Sequence, residues 1–144
     1  MFKLADFKKQ APKRDPLSYK SKNGRVLVVG GSIDFHGAPI FSAWGAMNAG
    51  ADLVQMAVPE CNFEVSRGFA PDLIVRKYPG EFLNTRAQEM ILTMAQKADV
   101  VVFGPGLGER TETMRALKFL VEHLSIPTIL DTTAIQVLEM IEKM

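Results

Sequence analysis

Five short apolar runs, separated by stretches of mostly helical spacing, constrain this chain more than any other feature. They are Arg25–Val29, Leu53–Val58, Leu73–Tyr78, Asp99–Phe103 and Pro127–Leu130. Continuous apolar runs of this length are expected of strands covered on both faces. After the first run, Pro39 suits the first turn of a helix, where its missing N–H costs nothing. Ala43, Trp44, Ala46 and Met47 then form an apolar stripe expected in the core, and Gly50 is placed to cap the helix end. Residues 60–68 read as a short helix or turn, and Pro79-Gly80 as a turn. Phe82, Leu83, Ala87, Met90, Ile91, Met94 and Ala95 predict a helix over Glu81–Lys97. Another is predicted over Thr111–Leu124, with Thr111 as N-cap and Met114, Leu117, Leu120 and Val121 on one face. Ala134–Lys143 begins a last one. Strands alternating with helices predict an α/β fold: a mostly parallel sheet, helices on both faces and right-handed crossovers.

The carboxyl ends of these strands carry the unusual residues. The first strand runs into Gly30-Gly31-Ser32-Ile33-Asp34-Phe35-His36-Gly37-Ala38-Pro39. The fourth runs into Gly104-Pro105-Gly106-Leu107-Gly108, and the fifth stops at Asp131. Ligands of open α/β sheets sit outside the carboxyl ends of the strands. A strand, a glycine turn and a helix N-terminus in that order also leave backbone N–H groups free for an anion. A binding cleft at this edge is therefore expected.

The first loop fits neither common phosphate motif. No Lys-Ser/Thr pair follows Gly37, so it is not a P-loop, and it lacks the Gly-x-Gly-x-x-Gly spacing. Asp52 lies at the wrong end of its strand for a ribose-binding acid, and Glu60 matches only weakly without the glycine fingerprint. Blander readings stand beside the functional ones. The glycines would merely turn the chain, and Asp131 would cap the following helix. His36 would be a surface loop residue and Cys61 an inert thiol. The eight methionines would mostly be core filler.

Composition narrows the classes further. One cysteine excludes an internal disulfide and fits a reducing cytoplasm. Two distant histidines and that cysteine give no zinc-ligand spacing. No apolar run approaches the ~20 residues of a membrane-spanning helix, and the lysine-bearing N-terminus has no following apolar segment of a secretory signal. Residues 1–24 form a basic arm ending in an Asn-Gly turn, with Leu4 and Phe7 able to start a short helix. Residues 1–25 hold eight Lys/Arg against Asp6 and Asp15, a net +6. The arm has few aromatics for stacking bases, so nucleic acid is not an expected partner.

Taken together, the motifs resemble one family. Arg25-Val-Leu-Val-Val-Gly-Gly-Ser32, Gly37-Ala-Pro39, Ala49-Gly50 with Leu53-Val54, and Val58-Pro59 look like the start of the ADP/ATP-dependent NAD(P)H-hydrate dehydratases. This carbohydrate-kinase-like group is also called the YjeF C-terminal domain. Asp99-Val-Val-Val-Phe-Gly-Pro-Gly-Leu-Gly108 resembles its second hallmark. Ile129-Leu-Asp131 with Ala134-Ile135 resembles its third, although Asp131-Thr132-Thr133 replaces the usual Asp-Ala-Asp.

The resemblance implies a ribokinase-like, three-layer α/β/α fold over residues 25–144, here incomplete. It implies repair of hydrated NADH or NADPH with ADP or ATP and magnesium, through a kinase-like step followed by elimination. Ala38 and Gly106 would contact the hydrated nicotinamide nucleotide. Gly31, Ser32, Gly37, Gly104 and Gly108 would shape those contacts, and Asp131 would lie near the cleft. The family's later His-Pro-Gly-Glu and Gly-Thr-Gly-Asp segments are absent from the sequence, and the Asp of the latter is the expected general base. Tyr78-Pro-Gly-Glu-Phe82 imitates the former but comes too early. The expectation is thus a substrate-binding half, inactive alone, that needs a C-terminal half or forms a homo-oligomer. A non-catalytic nucleotide-binding module and a self-associating scaffold remain the alternatives.

Overall fold

The computed structural model describes residues 14–142, and the short helix expected near Leu4 and Phe7 lies outside them. The elements follow the predicted order. They are β1 (Arg25–Val29), α1 (Gly37–Asn48), β2 (Leu53–Pro59), α2 (Phe63–Arg67), β3 (Ile74–Tyr78), α3 (Gln88–Ala95), β4 (Val100–Phe103), α4 (Thr111–His123), β5 (Thr128–Leu130) and α5 (Thr133–Glu142). Single 3₁₀ turns, Glu60–Asn62 and Thr85–Ala87, lead into α2 and α3. All strand pairs are parallel, in the order β3-β2-β1-β4-β5. The chain steps outward from β1 to β3, then crosses back to β4. The order therefore reverses between β1 and β4, where open α/β sheets part to leave a crevice.

The period of two along each strand divides the core. Val28, Val54, Met56 and Val58 point to one face, under Ile40 and Ala43 of α1 and Phe63 of α2. Leu27, Val29, Val101 and Phe103 point to the other, against Ile91 of α3, Leu117 and Leu120 of α4, and Val137 of α5. Leu27, Val28 and Val29 are all 0% exposed, so β1 is covered on both faces, as its unbroken apolar run requires. Burying each such side chain stabilises the fold by about 1.5–3 kcal/mol.

Three local expectations are corrected. The helix predicted from Glu81 begins only at Gln88, after the turn from Thr85. Asn84 holds the preceding residues out of the helix. Its Nδ2 donates to the carbonyls of Pro79 (2.8 Å) and Phe82 (2.9 Å), and its Oδ1 accepts from the amide of Arg86 (3.0 Å). Leu83 is fully buried all the same, from outside the helix. Thr111 is the first residue of α4 rather than its cap. Arg110 occupies the cap position and makes no side-chain capping bond. Trp44 lies half-exposed instead of in the core, meeting Phe69 edge-on with centroids 5.9 Å apart. Around the helix it lies about 40° from Ile40 but about 100° from Ala43, at the margin of the buried stripe.

Helix α1 ends as its glycine suggests. Gly50 has φ +100, its amide bonds the carbonyl of Met47, and the amide of Ala51 reaches that of Ala46. This is a Schellman closure, which satisfies two otherwise orphaned carbonyls.

Polar anchors gather at the amino ends of the strands, far from the glycine loops. Asp52 accepts from the amide and the side chain of Asn23 and pairs with Arg14. Asp99 accepts from the amide of Arg25 at 2.8 Å and pairs with its guanidinium at 2.8 Å. Asp52 is therefore a structural acid.

Candidate functional site

The glycine loops close on one another at the carboxyl edge of the sheet. Beyond β1, the amide of Gly31 donates to the carbonyl of Pro105 at 2.8 Å. A Cβ on Gly30 would stand 2.3 Å from that same carbonyl oxygen, so only glycine permits the approach. Beyond β4, Gly104 has φ +125, and a Cβ there would fall 1.8 Å from the carbonyl oxygen of Asp131. The amide of Asp131 in turn donates to the carbonyl of Phe103 at 2.8 Å. Three loops remote in sequence thus pack backbone against backbone.

They surround a cleft of about 700 Å³, within the size range of small-molecule sites. The first loop contributes Ser32, Asp34, Phe35 and Ala38, and the second Gly106, Leu107, Gly108, Glu109 and Arg110. The turn after β5 adds Thr132 and Thr133.

Four residues singled out from the sequence therefore line the cleft: Ser32, Ala38, Gly106 and Gly108. Gly31 and Gly104 lie behind it and let the loops meet. Gly37 opens α1. Asp131 is exposed, and its carbonyl accepts from the amide of Ala134 at 2.9 Å. Thr132 turns the chain with φ +47, so the two threonines rather than Asp131 border the cleft. His36 is exposed, as its loop reading expects. Cys61 lies beside Asn62 (Sγ to Oδ1 3.3 Å), and burial pushes its thiol up, away from the reactive thiolate. Glu60 pairs with Lys77 at 2.6 Å, which holds its carboxyl below the usual range.

Phe35, Asp34, Leu107, Glu109, Arg110, Thr132 and Thr133 were not picked out beforehand. Their only sequence signal is position, within or just past a strand-end loop. Phe35 is 55% exposed, an apolar ring left at the cleft wall. Ser32 is only 3% exposed, and its hydroxyl has no hydrogen-bond partner among the described residues. Its backbone is nevertheless fixed: its carbonyl accepts from the side chain of buried Asn62 at 3.0 Å, and the amide of Ile33 donates to Glu81 at 2.8 Å. An unpaired buried hydroxyl is costly unless a ligand completes it. The arrangement offers an apolar wall, hydroxyls, carboxylates and one cation. Such a set suits a ligand that combines a ring with hydroxyl and phosphate groups.

A family model described as NAD(P)H-hydrate dehydratase matches residues 26–143. The chain belongs to the NAD(P)H-hydrate dehydratase family. It is 40% identical over 131 residues to a bifunctional NAD(P)H-hydrate repair enzyme of Methanothermobacter thermautotrophicus, covering 89% of this chain and 25% of that protein. It is 38% identical over 119 residues to an ADP-dependent (S)-NAD(P)H-hydrate dehydratase of Nitrosopumilus maritimus, covering 81% of this chain and 42% of that one. Among solved structures it is similar to a ribokinase-like superfamily protein of Enterococcus faecalis, with a TM-score of 0.76 and 27% identity. That match covers 90% of this chain and 44% of the other. The chain thus spans less than half the length of these dehydratase relatives. The five parallel strands with helices on both faces are those of the ribokinase-like fold.

Proposed function

We propose that this chain forms the substrate-binding half of an NAD(P)H-hydrate dehydratase, with hydrated NADH or NADPH held in the cleft. The observation that carries this reading is the convergence of three strand-end loops on one cleft at the reversal between β1 and β4. Ala38 and Gly106 back the nicotinamide portion on this reading. Gly31, Ser32, Gly37, Gly104 and Gly108 set the shape of the wall, and exposed Asp131 is not part of the lining. The unpartnered hydroxyl of Ser32 gains a ligand group as its partner.

The proposed co-substrate is ADP or ATP, of which the name of the Nitrosopumilus relative supports ADP. No cluster of three His, Cys, Asp or Glu that could hold a metal occurs among the described residues. Magnesium therefore travels on the nucleotide's phosphates in this proposal, and no step is assigned to it here. Phosphoryl transfer depends on positioned donors and charges, and the expected catalytic Asp is not in this sequence. Full activity is therefore proposed to need a C-terminal half or a second copy. The β5 edge supports this, because Ile129 on β5 and Ile135 and Leu138 on α5 are exposed. An uncovered edge strand beside apolar surface favours association. The proposed compartment is the cytoplasm, and no helix among the described residues is long and apolar enough to cross a membrane.

Thermal-shift titration with NADH, NADPH, ADP and ATP tests the reading. A ligand of the folded state at a hundredfold its Kd adds about 2.7 kcal/mol. Stabilisation by NADH or NADPH is expected. A response to ADP or ATP alone points instead to a nucleotide-binding module. No response to any of them leaves a self-associating scaffold. The isolated chain is expected to give no repair of hydrated NADH with ADP or ATP.

A further inference from the structure

Among the described residues Arg110 is the one cation that lines the cleft, and no ion pair engages it there, although Asp34 and Glu109 line the same cleft. It follows the second glycine loop and occupies the cap position of α4. Its guanidinium carbon sits 4.8 Å from the centroid of the Phe82 ring, a contact that orients the charge without cancelling it. No carboxylate among the described residues forms an ion pair with it. Its neighbour Glu109 instead accepts from Gln136 at 3.0 Å. Asp34 is the only other charged group of the lining, and Glu112 is the acid of the first turn of α4.

The thirteen-residue α4 begins without a side-chain cap, so its first N–H groups stay available. Helix N-termini favour anions, and guanidinium groups bind phosphate through paired N–H donors. A second observation shows the cleft is built for a polar ligand. Ser32, in the other loop, is 3% exposed and keeps its hydroxyl without a partner among the described residues. Arg110 and Gly106 line the same cleft.

We propose that Arg110, together with the uncapped first turn of α4, binds the phosphate on the nicotinamide ribose of the substrate. This rests on the reading above, that the cleft holds a nicotinamide nucleotide. Arg110 is then a positioning and specificity residue, sorting phosphorylated ligands from bare nucleosides. Asp34 and Glu109, which line the same cleft, are acceptors for ribose hydroxyls rather than for phosphate.

The test titrates the intrinsic fluorescence of three reduced nicotinamide compounds into the full chain. The probes are the riboside, which has no phosphate, the mononucleotide, and NADH. Wild type is compared with Arg110→Gln and Arg110→Lys, and urea melts confirm that both fold. In R110Q, the mononucleotide and NADH should bind about ten-fold more weakly, the loss of one charge-assisted bond. R110K should recover part of that affinity, and added salt should weaken wild type more than R110Q. Riboside binding should not change. Equal mononucleotide affinity in wild type and R110Q overturns the assignment and leaves the functional reading standing. So does an equal loss for the riboside, which would make Arg110 a structural residue. Failure of wild type to bind any of the three overturns both.

Discussion

The amide of Gly31 donates to the carbonyl of Pro105 at 2.8 Å, tying the loop after β1 to the loop after β4. This bond bridges the point where strand order reverses, and it fixes the floor of the cleft. The bond comes from backbone alone, so it uses none of the cleft's side chains.

Gly104→Ala is expected to be severely destabilising. Its Cβ would meet the Asp131 carbonyl at 1.8 Å, and φ +125 is already unfavourable for alanine. A loss of about 3 kcal/mol or more is expected in urea unfolding. Gly45→Ala is the matched control, since it lies inside α1 with nothing within 4 Å of its Cβ. That change should stabilise by roughly 0.5–1 kcal/mol. Equal effects at the two sites would refute the close-approach account.

Ser32→Ala separates folding from binding. Because the hydroxyl has no partner among the described residues, removing it should leave stability unchanged or slightly raised. Affinity for NADH should fall by about 0.5–1.5 kcal/mol, the usual worth of one hydrogen bond. Chemical denaturation and a fluorescence titration of the same sample read the two effects. A large loss of stability would mean that the hydroxyl has a structural partner.

Tyr78→Phe should not destabilise the protein. Tyr78 is 1% exposed, and its hydroxyl lacks a partner among the described residues. Burial drives its pKa far upward, so the phenol stays neutral. Deleting an unsatisfied buried hydroxyl while keeping the ring removes a desolvation cost. The midpoint of urea unfolding should hold or rise, and a marked fall would reveal a bonded water or group at that oxygen.

Acid should weaken the amino edge of the sheet. The Arg25 side-chain hydrogen bond holds the Asp99 carboxyl below the usual range, and hydrogen bonding by the Asn23 amide does the same for Asp52. A carboxylate whose folded pKa is depressed adds stability above its unfolded value, near 3.9, and loses it as pH falls through the folded value. Stability of wild type should therefore drop below about pH 4 more steeply than that of Asp99→Asn, measured as unfolding free energy against pH. Parallel curves would show that the Asp99 pair contributes nothing in solution.

The misplaced elements show where local signal stops. The helix predicted from Glu81 had the correct spacing, but Asn84 offered its side chain to nearby backbone groups and delayed the start to Gln88. Trp44 looked like core from its helical spacing, yet it falls at the margin of the buried stripe of α1. Arg110 carried no signal beyond following a glycine loop, because its Phe82 contact comes from a segment remote in sequence.

By itself the sequence determined the strands, their parallel α/β arrangement and the edge that carries the glycine loops. Those follow from local apolar spacing and from turns that only glycine permits. The tertiary structure alone decided which strand-end residues share a cleft. Ser32, Ala38, Gly106 and Gly108 meet Arg110 and Thr133 there, and exposed Asp131 is not part of the lining. The reason is physical: the cleft exists only because sheet order reverses between β1 and β4, and that reversal is set by long-range strand pairing.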